Sequence, residues 1–393
     1  MVNDSERMLA LNFKSEIIAY ANSIGISKIG FTDAEAFNDI KEILKTRKES
    51  GFLSGFEEKD LELRINPKKT MPEAKSIIVI AIPYYRDRAE AAYEKLAKYH
   101  GDLARLAWGR DYHFVLRDKL QKIANFIKEQ ESKFQYKIFV DTGPLVDRHV
   151  AYRAGLGWYG YNSLLINEEF GSWFFIGYMI NNLLFPIDKP LTNKACQACN
   201  LCIKHCPSGA IEAPYSFDAK KCLSYLLQEK SEISRSDRKL VGKKIYGCDI
   251  CQEVCPHNNQ IQIGASEEFY PIDPLTKPDL LKLLTISNKE FKDTYGKTSA
   301  GWRGKKILQR NAIIALANYG NKEVLPYLIP LLKDERWEIR KYAIWAIYEL
   351  DPLQAKIIFK EMFENEKDIE LKTKLKYYIE KKVDNKTDSK TDE

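Results

Sequence analysis

Residues 196–207 read CQACNLCIKHCP and residues 248–256 read CDICQEVCP. The first stretch puts Cys196, Cys199, Cys202 and Cys206 at the spacing C-x2-C-x2-C-x3-C, with Pro207 directly after. Such gaps let three thiolates converge on three irons of one cubane cluster, while the fourth, turned away at the proline, reaches a neighbouring cluster. The second stretch, Cys248, Cys251 and Cys255 before Pro256, repeats the form with one member missing, and the isolated Cys222 is the candidate for that member. Crossed ligation then gathers Cys196, Cys199, Cys202 and Cys255 around one four-iron four-sulfur cluster, and Cys206, Cys222, Cys248 and Cys251 around the other. The chain has eight cysteines, all between 196 and 255, as many as two such clusters use. Structural zinc also takes C-x2-C pairs, but it needs neither a third cysteine two residues on nor both prolines. His205 and His257 are left as surface or hydrogen-bonding residues. Cysteine-saturated clusters have no open position for a substrate, so they carry electrons and the catalytic centre lies elsewhere.

The rest of the chain is that of an ordinary folded protein. At 393 residues it exceeds the roughly 250–300 at which one core tends to split, so two or three domains are expected. With 45% hydrophobic and 30% charged residues, it is neither a disordered nor a membrane composition. The opening MVNDSERMLALNFK lacks the basic flank and apolar run of a secretory signal, and the apolar stretch Trp173–Phe185 is broken by Asn181 and Asn182. Cysteines confined to one segment do not describe a secreted disulfide framework. A cytoplasmic protein with no membrane span is expected. Its net charge of +6 permits an acidic partner without requiring one.

Residues 1–190 alternate helical and strand patterns: a helix near Ser5–Ser23, a strand at Ile77–Ile82, a helix near Val115–Glu129 and a strand at Lys137–Val140. They read as one α/β or α+β domain. Residues 191–271, interrupted by cysteines and prolines, read as a ferredoxin-like module organised by its clusters. From Pro278 apolar residues return at helical spacing, and Arg310-Asn-Ala-Ile-Ile-Ala-Leu resembles Lys341-Tyr-Ala-Ile-Trp-Ala-Ile, an offset of 31 residues. Residues 278–382 are therefore expected as HEAT-like helices, unless the pair marks two unrelated core helices. Residues 383–393 are expected as a disordered tail. The fold class is α+β.

Outside the cysteines the most unusual stretch is 140–165, VDTGPLVDRHVAYRAGLGWYGYNSLL. Its glycines suit a close approach to a bulky ligand and equally suit plain turns. Asp141 follows a strand end, where a carboxylate often serves a site mouth. Asp147 and Arg148 are expected as a local ion pair.

VDTGPLVDR with AGLGWYGYN, the first cysteine run, YGCDICQEVCP and GWRGKKILQRNA together resemble the epoxyqueuosine reductase family over nearly the whole chain. That resemblance implies an N-terminal cobalamin-binding domain with a core like that of reductive dehalogenases, two four-iron four-sulfur clusters and terminal HEAT-like helices. The implied reaction reduces epoxyqueuosine at the tRNA wobble position to queuosine, the last step of queuosine biosynthesis. The implied partners are a tRNA anticodon stem-loop and a small electron donor such as flavodoxin or ferredoxin, with the enzyme a monomer. By the same resemblance Asp141 is the proton donor. Gly160, Leu165 and Ile176 fall in the cobalamin-lining segment, and Arg64, Leu223, Asp249 and the element Trp108–His113 lie near corrinoid or substrate. Ser224 and Tyr225 lie where cluster, corrinoid and tRNA meet. Tyr161 departs from the family's usual lysine before Asn162, which removes a basic contact.

Cobalamin is not deducible from the residues themselves. Asp147-Arg148-His149 begins the D-x-H-x-x-G pattern that supplies a histidine to cobalt, but Tyr152 stands in the glycine's place, and His149 is expected on the surface. For proton donation the pKa of Asp141 is expected to be raised by burial. Trp302, Arg303, Lys305, Lys306 and Arg310 interleave an aromatic with cations, as tRNA contact requires, or form a solvated helix start. Lys243, Lys244 and Tyr246 extend that strip toward the active site. Two rivals remain: a corrinoid iron-sulfur reductase of a small molecule, which predicts no basic helical domain, and a non-catalytic electron carrier or RNA scaffold, which predicts no corrinoid.

Overall fold

The computed structural model describes residues 4–87, 96–259, 261, 264, 266–272 and 275–382; the expected tail, 383–393, lies outside them. Four strands, Lys28–Asp33 (β1), Ser76–Pro83 (β2), Tyr136–Phe139 (β3) and Phe174–Asn181 (β4), form one sheet in the order β1-β2-β4-β3. Every pairing is antiparallel, which makes the N-terminal region α+β. Antiparallel strands with one wet face alternate polar and apolar residues; β2, SIIVIAIP, is buried throughout because both its faces are covered. Ile78, Ile80 and Ile82 enter a core with Ile17 of the helix Asp4–Ser23 (α1) and Leu116, Leu120 and Ile123 of Tyr112–Gln130 (α2). Ile77, Val79 and Ala81 enter the opposite core with Val150 and Ala151 of Asp147–Arg153 (α3). The period of two in a strand produces this division.

The apolar rhythm of α2 begins at Val115, but the helix starts three residues earlier because the Asp111 side chain accepts the His113 amide and caps it. Among the described residues the cysteine segment holds only short helices, including Leu201–Lys204 (α4), Leu223–Leu226 (α5) and Ile250–Glu253 (α6). It is clasped to the sheet at Ser172, whose amide donates to Asn258 Oδ1 at 2.7 Å and whose carbonyl accepts from Gln252 Nε2 at 3.0 Å. Gly171 beside it has φ 58°, and a Cβ there would lie 1.9 Å from Asn258 Oδ1, so only glycine fits.

Lys305–Asn318 (α7), Trp337–Leu350 (α8), Pro352–Asn365 (α9) and Ile369–Glu380 (α10) complete the fold around Ile313, Ile344, Phe359 and Leu371. Arg310 of α7 and Lys341 of α8, equivalent in the 31-residue offset, are both buried. Tyr99, Leu103 and Trp108 belong to the same core as Leu223, Leu227 and Ile245 of the cysteine segment. A parallel pairing of Asp102–Leu103 with Lys244–Tyr246 carries the chain from there to Asp111, beside the second cysteine run. Among the described residues no helix is long and apolar enough to cross a membrane.

Candidate functional site

Cys196, Cys199, Cys202 and Cys255 line one pocket, closed on one side by Tyr161 and His257. Left-handed Ala198 and Asn200, at φ 51° and 53°, curl the loop so that its thiols turn inward. Burial, and then the neighbouring Cys196 and Cys255, push the Cys202 thiol up to about 11. Burial raises Cys251 well above the usual value, with Cys222 and Cys248 adding to it, and Cys222 in turn feels Cys206. Cys202 is thus grouped with Cys196 and Cys255, and Cys251 with Cys222 and Cys248, while Cys251 also feels Cys202. All eight are free thiols. Crowded thiols of this kind fit a cationic iron-sulfur centre, which compensates the thiolates' charge on binding. Tyr161 packs edge-on against Tyr215 with ring centroids 5.2 Å apart and gives the first nest an aromatic cover.

Behind the second nest Asp249 is buried and accepts the Arg105 amide at 2.8 Å. The Arg105 guanidinium lies 5.1–5.4 Å from the ring centres of Trp173, Trp108 and Tyr85. From Gln252, next to Cys251, an aromatic run leads outward. Gln252 Nε2 donates to Tyr84 Oη at 3.5 Å, Tyr84 stacks on Phe175, and Phe175 stacks on Tyr112, both at 4.2 Å. Tyr112 Oη then donates to Asp141 Oδ2 at 2.8 Å.

Asp141 stands just past the end of β3 in the left-handed region, φ 58°, a conformation that Asp tolerates better than most residues and that is often held at functional sites. Its amide donates to Asp147 Oδ2 at 3.0 Å, which fixes the turn. Its carboxylate is 63% exposed, and His113 Nε2 lies 3.5 Å from Oδ2. The other ring nitrogen, Nδ1, lies 2.7 Å from Asp111 Oδ1. Enclosure acts to raise the Asp141 pKa, but hydrogen bonds from His113 and Tyr112 outweigh it and hold the group below its usual value. The expected upward shift is therefore corrected: Asp141 is ionised at neutral pH. Burial, and then the charge of Asp141, instead push Asp147 up to about 8. The expected Asp147–Arg148 ion pair is corrected as well, since Asp147 accepts the Asp141 amide and Arg148 Nη1 donates to the Ser163 carbonyl.

Next to this mouth is a cationic corner. Burial lowers the pKa of Arg64, and Arg148 lowers it further; Arg47 is lowered by burial and then by Arg148, while Glu57 opposes both shifts. A gathering of guanidiniums of this kind fits an anionic ligand. On the other side Trp302 is half exposed and donates Nε1 to Gln228 Oε1 at 2.8 Å. Arg303 lies over Trp302 and over Phe56, at 4.2 and 4.5 Å, and Phe56 meets Tyr225 at 5.2 Å. Tyr246 links the two sides, in contact with Trp302 and within the field of Asp141.

Several expected contacts are placed differently. Arg310 is only 3% exposed. Its Nη2 donates to the carbonyls of Leu226 and Leu227 at 3.2 and 3.1 Å, so it closes the end of α5 and is not offered to a phosphate. Lys305 Nζ donates to the Ile286 carbonyl and Lys306 pairs with Glu338. Lys243 lies over the Tyr319 ring, off the strip, whereas Lys244 faces Cys248. Leu165 and Leu223 are packed in cores, while Gly160 turns the hairpin beside Leu165 and Ile176 is half buried. Ser224 is half buried on α5. His149 is buried against Phe37 and Asp39, and burial lowers its pKa; apolar neighbours on α3 put it inside, contrary to its expected surface place. Sequence reading missed Phe56, Arg47 and Glu57. An aromatic between Gly55 and two glutamates in a polar loop was the available signal for Phe56, and nothing in the pattern marked Arg47.

Family models match residues 64–142 (Epoxyqueuosine reductase QueG, DUF1730), 195–258 (4Fe-4S double cluster binding domain) and 304–376 (HEAT repeats). The chain is 43% identical to the epoxyqueuosine reductase of Bacillus cereus over 91% of its own length and 94% of the relative's. It belongs to the epoxyqueuosine reductase family. The Escherichia coli epoxyqueuosine reductase is 35% identical over 72% of the chain and 75% of the relative. A solved epoxyqueuosine reductase carrying a tRNA-Tyr epoxyqueuosine-modified stem-loop superposes with TM-score 0.88 at 41% identity, covering 94% of this chain and 98% of that one. A Bacillus subtilis epoxyqueuosine reductase, described with its catalytic aspartate loop swung out of the active site, superposes with TM-score 0.88 at 40% identity and the same coverage. The parts of an epoxyqueuosine reductase are thus present in order, and its double-cluster domain spans all the cysteines.

Proposed function

We propose that this chain reduces the epoxide of epoxyqueuosine in tRNA to give queuosine, with Asp141 delivering a proton to the departing oxygen. The observation that carries the reading is the Asp141–Tyr112–His113 mouth, set between the second cysteine nest and a patch of exposed aromatics and arginine. The reaction takes two electrons and two protons: both carbon–oxygen bonds break, a carbon–carbon double bond forms, and oxygen leaves as water.

Electrons enter from a small one-electron carrier, such as flavodoxin or ferredoxin, at the first nest, where Cys199 is exposed, and pass to the second nest beside the mouth. Cobalamin, when bound, supplies a cobalt centre able to deliver electrons to the epoxide. Arg64, Gly160, Leu165, Ile176 and Leu223 would line its site, and the arginine corner suits the phosphate that cobalamin carries. Asp249 supports this wall from within by fixing Arg105. Trp302 and Tyr225 offer faces for bases of an anticodon stem-loop, and Arg303 offers charge for its phosphates. The chain acts as a monomer in the cytoplasm.

The test is an optical spectrum of anaerobically reconstituted protein before and after addition of cobalamin, followed by reductant and an epoxyqueuosine-bearing stem-loop. Visible cluster absorption, stoichiometric corrinoid and conversion of the stem-loop are expected. Clusters without corrinoid or conversion would favour an electron carrier.

A further inference from the structure

Asp141 presents a difficulty for the reaction just proposed, because a carboxylate held ionised has no proton to give. The residues around it offer a store. His113 lies between two carboxylates, with Nδ1 2.7 Å from Asp111 Oδ1 and Nε2 3.5 Å from Asp141 Oδ2. Its ring stacks on Tyr112 at 4.1 Å, and Tyr112 holds the same Asp141 oxygen, so the two aromatic side chains and the carboxylate form one unit. The His113 side chain is 27% exposed, enough for exchange with solvent.

We propose that His113 stores the proton that Asp141 passes to the epoxide oxygen, with Asp111 fixing the ring through its other nitrogen. The inference rests on the epoxide-reduction reading. As the first carbon–oxygen bond breaks, the proton moves from Nε2 to Asp141 Oδ2 and on to the oxygen. Solvent re-protonates the ring, which supplies the second proton as water leaves; the electrons come from the one-electron carrier through the clusters. His113 is thus a positioning and proton-holding residue acting through Asp141.

The groups facing the ring are Asp111 on the capping turn, Tyr112 beside it and Asp141 on the loop after β3. Beyond them lie Asp147 and Arg148 of α3, and Tyr246 before the second cysteine run. Burial by itself would lower the pKa of His113, but its bonds to Asp111 and Asp141 and their charges push it up to about 9. The ring is then charged at neutral pH.

The test uses full-length, cluster-loaded protein with 15N-labelled histidine, five residues in all, with His113→Gln to assign the signal. Nuclear magnetic resonance should show His113 titrating near 9. Asp111→Asn keeps the helix cap, because asparagine caps as well as aspartate, and removes the charge. It should lower the His113 titration by about 1 to 3 pH units, the usual effect of a close opposite charge. The basic limb of the single-turnover pH profile on a modified stem-loop should move down by the same amount. Titration of wild-type His113 at or below its ordinary value, or an Asp111→Asn profile that does not move, overturns the proposal. A charged His113 in a loaded protein that never reduces the epoxide would overturn the functional reading, and with it the relay's role, while the histidine signal would still establish the charged cluster.

Discussion

The cysteine segment and the C-terminal helices are held by opposite means. Residues 196–206 contribute no buried apolar side chain, and their short helix α4 has none. By contrast, α7 buries Ile307 through Ala317 without a break, and α8 buries almost every residue from Ile339 to Tyr348. One region folds around ligands, the other around its own hydrocarbon. The difference teaches where each should fail: the first with loss of iron, the second with loss of volume. The proposed catalytic mouth lies between them and depends on both, since residues 99–108 lead to it from the helical core and Tyr246 reaches it from the cysteine side.

The largest effect is expected from removing a cluster ligand. Cys251→Ser should eliminate the second cluster's absorption and all epoxide reduction, while far-ultraviolet circular dichroism keeps most of the helical signal; iron analysis and dichroism on one sample check this. Loss of the helical signal together with the iron would break the comparison. Ile344→Ala should do the reverse, costing about 2–5 kcal/mol by chemical denaturation through a core cavity while iron content stays unchanged. Gly171→Ala strikes the clasp joining the cysteine segment to the sheet, where the added carbon meets Asn258. It should speed cluster loss in air by more than it lowers helix stability, as followed by bleaching and dichroism.

Smaller effects sharpen the picture at the surface. Arg303→Ala should weaken stem-loop binding and reduce the salt dependence of log K by about one contact, with stability little changed. Arg310→Ala should instead destabilise the fold, because it strips partners from buried carbonyls at the end of α5. The smallest effect is on pH dependence. The folded pKa of His113 lies near 9, above the ordinary 6.5, so the folded chain binds the extra proton. Its stabilising contribution is complete below 6.5 and is lost as pH rises through about 9. Asp147, raised from 3.8 to about 8, gives a slope of the same sign over its own window. Melting temperature should therefore decline from neutral to alkaline pH, and His113→Gln should flatten the upper part of that decline.

How much of this was legible in sequence follows from the same contrast. Thiolate spacing proposes a ligand set directly, and in the fold Cys202 lies within the influence of Cys196 and Cys255. The repeat at Arg310 and Lys341 marked the paired helices, but a charge on a helix does not say which face it occupies. Arg310 was read as a phosphate contact for that reason, although it is the most enclosed of the cations in its run. The mouth was legible only in part. Asp141 and the element Trp108–His113 were visible through resemblance, but the line Asp111–His113–Asp141 joins a helix cap to a loop thirty residues away. Only the tertiary fold brings them together, and the sign of the Asp141 shift depends on that meeting.

The most direct measurement is mass spectrometry of nucleosides from an epoxyqueuosine-bearing stem-loop after anaerobic incubation with cluster- and cobalamin-loaded protein and a one-electron reductant. The account predicts conversion to queuosine, lighter by one oxygen, by the wild type and little or none by Asp141→Asn at equal iron and corrinoid content. A fully loaded wild type that leaves the epoxide intact, or an Asp141→Asn protein that converts it at the wild-type rate, would contradict it.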